Sequence, residues 1–158
     1  MTWFSRLNAR LSAVVLVAAR LCLAGLGVMV LYGVVMRYAF NNEPPYVEQV
    51  ALLLVISVAM FGAATVAHDA GHIGLDSLVI RLPAAARHWI ARLVALATLT
   101  FALVLLWGSY QMALSTHGNQ IPTLGISEAW RYFPPVVAGI LIALFSLDRM
   151  LRSEAPHD

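Results

Sequence analysis

A chain of 158 residues that is 61% apolar and only 11% charged, with a mean hydropathy of +0.80, carries too much apolar surface for an ordinary water-soluble domain. Its net charge of +2 is a surplus of ten arginines, with no lysine, over eight carboxylates, which is too small for a nucleic-acid-binding surface. The single cysteine, Cys22, excludes a disulfide within the chain.

The first apolar run covers about 11–36, long enough to cross a hydrocarbon core of about 30 Å. Arg6 and Arg10 ahead of it resemble the start of a signal peptide, but Arg20 interrupts the run and no small-residue cleavage site follows. Leu21 also stands where a lipoprotein-type Cys22 would need a small neighbour, so the segment is expected to stay as a first span. Arg20 lies roughly 12 Å along the helix from residue 12. Its long stem can snorkel back to the headgroups, or its guanidinium can pair with Asp69 or Asp76 at the same membrane face.

The connection that follows runs from Met36 to Gln49. Tyr38, Phe40 and Tyr46 suit the headgroup level, and Asn41 to Pro45 make a turn. Two readings stand side by side: an aromatic belt around a tight loop, or an exposed set, Arg37, Asn41, Glu43 and Glu48, that meets a soluble partner.

A second apolar run, about 47–67, ends in the polar cluster from His68 to Asp76. His68, His72 and Asp76 recur every four residues, a spacing that metal sites use. Gly71 and Gly74 weaken the helix there, so the cluster is read as the end of a span and no metal is expected. Leu75, Leu78, Val79 and Leu82 then fall on one helical stripe, with Asp76, Ser77 and Arg81 mostly off it. That pattern predicts a short amphipathic helix, about 73–83, lying on the membrane surface and closed by Pro83.

Third and fourth runs cover about 89–114 and 130–147. Between them lies a polar, turn-rich connection with His117, Asn119, Gln120 and Glu128, followed by Arg131; Pro134 and Pro135 sit where a helix start tolerates missing amide protons. The fold class expected is therefore an all-α integral membrane protein, a single membrane domain of four transmembrane helices plus the interfacial helix. Arg6 and Arg10, Arg81, Arg87 and Arg92, and Arg149 and Arg152 outnumber Arg37 and Arg131 across the connections. The positive-inside rule then puts both termini and the segment 68–88 in the cytoplasm, with the connections 37–46 and 115–129 outside.

Two functional classes are open to such a bundle: a small exporter acting as a homodimer, or a redox subunit holding haem or quinone. The histidines lie at helix ends or in connections, which disfavours haem between facing helices, and no cofactor is expected. No carboxylate lies mid-membrane, which disfavours self-sufficient coupled transport.

Arg37-Tyr-x-Phe-Asn41, the proline pair, Glu48, Gly62-Ala63-Ala64, His72-Ile73-x-x-Asp76 and Leu82-Pro83 together resemble the small membrane subunit, the DctQ-like subunit, of tripartite ATP-independent periplasmic (TRAP) transporters. Members of that family often carry a tryptophan before paired acids and a second glutamate, where this chain has Tyr46 and Gln49. The resemblance implies a non-catalytic protein of the bacterial inner membrane. Its partners would be the bilayer, a large elevator-type membrane subunit and a periplasmic binding protein that delivers an organic acid for sodium-coupled uptake. Docking of the binding protein is expected on Arg37, Asn41, Glu43, Glu48, Asn119, Gln120, Glu128 and Arg131. Arg20, Asp69, His72, Asp76, Leu75, Leu78 and Leu82 are expected to hold the structure at the inner face.

Overall fold

The computed structural model describes residues 3–42, 44–73 and 84–153. Four long helices account for nearly all of them: α1 (Trp3–Ala39), α2 (Tyr46–Ile73), α3 (Ala84–Thr116) and α4 (Phe133–Ser153), the last preceded by a 3-10 turn, Glu128–Tyr132. All four are apolar and long enough to cross a membrane, as the sequence requires, and the described residues hold no strand beyond an isolated bridge between Gln120 and Ser127. A helix satisfies its own amides and carbonyls, which is what an apolar segment in lipid must do. Of the expected interfacial helix, about 73–83, Ile73 is the last residue of α2 and 74–83 lie outside the described residues.

α1 contains 37 residues, roughly 55 Å at the helical rise, and so exceeds a hydrocarbon core. It packs along α2, α2 packs on α4, and α4 packs along α3, while α1 meets α4 at only a few positions. The spatial order is thus α1, α2, α4, α3. α4 is the most enclosed, with 39% of its apolar stretch buried, against 6% for α1.

The core is built where small residues let backbones approach. Ala64 of α2, Ala102 of α3 and Ala138 of α4 are fully buried, with Val15, Leu141, Ile142 and Phe145 around them. At the α3–α4 crossing, a Cβ added to Gly139 would sit 3.0 Å from the Cβ of Leu106 and 3.1 Å from its Cα. A methyl group there would press on the Leu106 backbone. At the α1–α2 contact, a Cβ on Gly33 would meet Val47 at 2.9 Å and one on Gly25 would meet Leu54 at 3.8 Å, which fixes the antiparallel register; Gly27 and Gly62 face open space. Such close packing replaces the hydrophobic driving force that lipid removes.

Buried hydroxyls are satisfied inside their own helices: Ser57 donates to the Leu53 carbonyl at 2.8 Å and Thr65 to the Gly62 carbonyl at 2.8 Å. At the end carrying the termini, Asn8, Ser12 and Asp148 are buried, and the His68 ring meets Phe145 edge-on with centroids 4.9 Å apart. At the opposite end lie both connections, 40–45 and 117–127.

Candidate functional site: the polar end formed by the two connections

The first connection begins where α1 stops at Ala39. Asn41 takes φ 49, a left-handed conformation that asparagine tolerates better than most residues, and the Asn42 amide returns to the Met36 carbonyl at 3.1 Å. α2 restarts after the proline pair, with the Val47 amide bonded to the Pro44 carbonyl at 3.1 Å. The Tyr32 and Tyr46 hydroxyls meet at 3.1 Å and tie the two helices just below the turn. Arg37 in the last turn of α1 and Glu48 in the first turn of α2 each complement the local helix dipole. Both are exposed, as is Asn41. Glu43 lies outside the described residues.

The second connection is longer and folds back on itself. The Ile121 amide bonds to the Ile126 carbonyl at 2.9 Å, and the Glu128 amide to the Asn119 carbonyl at 2.9 Å. Between them the Gly125 amide reaches the Ile121 carbonyl at 2.9 Å; Gly125 has φ 65, which a residue with a side chain adopts only at a cost. Ile121 is buried and plugs the loop onto the helices, leaving Asn119 and Gln120 exposed. Ser127 caps the 3-10 turn by accepting from the Ala129 amide at 3.3 Å, and its hydroxyl donates to the His117 carbonyl at 2.9 Å.

Arg131 joins the two connections. One terminal nitrogen donates to Gln49 Oε1, across 82 residues of sequence, and the other lies 3.4 Å from Glu128 Oε1. Its Nε is buried and has no hydrogen-bond partner among the described residues. Glu128 and Arg131 keep about a third and a quarter of their side chains exposed, so the ion pair alone is worth little and the link to α2 matters more. Beside it, Trp130 and Phe133 stand with ring centroids 5.9 Å apart. With His117, Ser127 and Ala129 they line an open cleft of about 280 Å³.

The residues expected to form a docking face therefore share one end of the molecule wherever they are described. Glu128 and Arg131 are brought into contact, Asn119 takes part through its backbone, and Arg37, Asn41 and Glu48 gather around the first turn. Sequence reasoning missed Gln49 as a partner of Arg131, and it missed the aromatic cleft. Trp130 and Phe133, three residues apart on a helical turn, were the available signal for the cleft. Of the residues expected at the other end, Arg20 is exposed on α1 with no hydrogen-bond or salt-bridge partner among the described residues. Asp69 and His72 lie within α2, with side chains outside the described set, and Leu75, Asp76, Leu78 and Leu82 also lie outside it.

An all-helical protein with four membrane-crossing helices and one end built from pinned polar connections is a multi-pass membrane protein whose distinguishing surface is that end. Residues 26–155 match the family described as the DctQ component of tripartite ATP-independent periplasmic transporters, and the chain belongs to that family. Two Haemophilus influenzae proteins provisionally named TRAP transporter small permease protein are similar to it. One is 26% identical over 131 residues, covering 83% of this chain and 81% of the relative. The other is 25% identical over 122 residues, covering 75% and 74%. The sialic acid TRAP transporter small permease protein of Vibrio cholerae is 23% identical over 116 residues, covering 73% of this chain and 67% of the relative. As a member of this family the chain is a TRAP-type small permease subunit and a multi-pass protein of the bacterial inner membrane.

Proposed function

We propose that this subunit is a static, non-catalytic scaffold. It would hold a large elevator-type membrane subunit in place and present the connection end to a periplasmic binding protein that delivers an organic acid for sodium-coupled uptake. In this reading both termini are cytoplasmic, the connection end is periplasmic, and the stretch 73–83 is a helix on the inner surface. The arginine distribution supports the orientation, and the apolar stripe of Leu75, Leu78 and Leu82 supports the surface helix.

The observation that carries the scaffold role is the placement of charge along the helices. Glu48 lies in the first turn of α2, Glu128 in the 3-10 turn, and Asp148 near the end of α4. No described helix has a carboxylate at mid-height, where a protein that carries sodium or protons by itself is expected to place an ion-binding or proton-carrying group. The docking role rests on the mixture of both charges around the two connections, since such surfaces speed and orient transient encounters more than they tighten binding.

The test is sodium-driven uptake of radiolabelled organic acids by proteoliposomes, with the large subunit, this chain and the binding protein omitted one at a time. Uptake should vanish when this chain is left out. Glu43→Lys combined with Glu128→Gln, which retains an acceptor for Arg131, should raise the binding-protein concentration needed for half-maximal uptake several-fold, with recovery at high concentration. Full uptake without the chain would remove the scaffold role; an unchanged titration would move docking onto the large subunit.

A further inference from the structure

Among the described residues, Arg37, Glu48, Glu128 and Arg131 belong to the polar end, and Arg20 stands apart from it, exposed within an apolar run. The register set by Gly33 against Val47 and Gly25 against Leu54 puts Arg20 level with Ala59 and Met60 of α2. His68 closes the apolar stretch of α2 that begins at Tyr46. Arg20 therefore lies about 12 Å inside one edge of that stretch and roughly 20 Å inside the other, at the helical rise. Its three-methylene stem recovers only part of the shorter distance. Asp69, one residue past His68, is farther off still.

Arg20 is also exposed, away from the buried face of α1. α1 packs along α2, with Gly33 and Gly25 at the contact, and its buried residues are Asn8, Ser12, Val15, Ala19 and Gly33, whereas Arg20, Ala24, Gly27 and Leu31 are exposed and recur at the spacing of one helical face. Nothing lies within 4 Å of the position a Cβ on Gly27 would take. About two turns along from the cation, then, the face is small enough for another backbone to come close. A guanidinium held in hydrocarbon with no partner is costly, and it is retained where a carboxylate in a neighbouring helix neutralises it.

We propose that the Arg20–Ala24–Gly27–Leu31 face of α1 is the seat of a membrane helix of the large subunit, and that an aspartate or glutamate on that helix pairs with Arg20. The inference rests on the scaffold reading and adds the helix, the face and the charge through which assembly occurs. Small residues on both sides of the contact bring the two helices together, and the ion pair sets their axial register. A lipid phosphate is the competing occupant.

Tagged chain is co-expressed with the large subunit and purified in mild detergent. Wild type should carry the large subunit with it; if it does not, the scaffold reading itself fails, before Arg20 is considered. Arg20→Ala and Arg20→Glu should each recover about tenfold less large subunit, and Arg20→Lys should recover an intermediate amount. A second measurement does not depend on how well those variants fold: a benzophenone attached at Ala24→Cys in a Cys22→Ser background should form adducts with the large subunit. Wild-type recovery by Arg20→Glu, or adducts with lipid alone, would overturn the interface and assign Arg20 to the headgroups.

Discussion

Arg131 shows what a single side chain contributes. Its guanidinium bridges Gln49 of α2 and Glu128 of the 3-10 turn, so it fixes the second connection to the first turn of α2. Gln49→Ala should lower stability in detergent by about 1 kcal/mol, because a hydrogen bond to a charged donor is lost at a half-exposed site. Gln49→Glu should hold or raise it. Thermal unfolding followed by fluorescence-detected size exclusion reads both, and equal midpoints for all three proteins would mean the bridge is not formed. None of this contact was legible beforehand: Gln49 and Arg131 belong to different apolar runs, and no local periodicity relates them.

Among the helices, composition revealed the number of elements but not their order. α1, α2 and α3 are apolar on nearly every side, because lipid rewards the same residues as a protein interior does. A hydrophobic stripe therefore cannot say which face is buried. Close approach is decided by single small residues instead, and the glycines look alike in sequence while differing in space. Gly139→Ala forces a methyl group against the Leu106 backbone and should cost about 1–3 kcal/mol through overpacking of α3 on α4. Gly27→Ala, facing open space, should leave the isolated subunit unchanged in the same assay. The sequence pattern after α2 makes a further element-level claim: Leu78→Asp should weaken association with the large subunit, while Ser77→Asp, off the stripe, should not. Equal tolerance would remove the interfacial helix.

For the whole molecule, the arginine distribution supports the proposed topology, in which the connections would form its periplasmic surface. Single cysteines at Asn42 and Asn119, in a Cys22-free background, should react with an impermeant thiol reagent applied to the periplasmic side, and one at His157 should not. Labelling at His157 in intact cells would reverse the orientation. The four-helix plan and the family were legible from apolar runs and a handful of motif residues between Arg37 and Pro83. The folded second connection was not, because the bonds of Ile121 to Ile126 and of Glu128 to Asn119 are made by backbone groups that residue identity does not specify. The aromatic cleft beside it left only the spacing of Trp130 and Phe133 as a signal, and the same pair reads equally well as membrane-interface anchors.

The central claim is that this chain supports transport without performing it. Its most direct test is sodium-driven uptake of an organic acid by liposomes containing the purified chain alone. With no carboxylate at mid-height on any described helix, accumulation should not rise above that of empty liposomes, with or without binding protein added. Sustained, sodium-dependent accumulation by the chain alone would contradict the account.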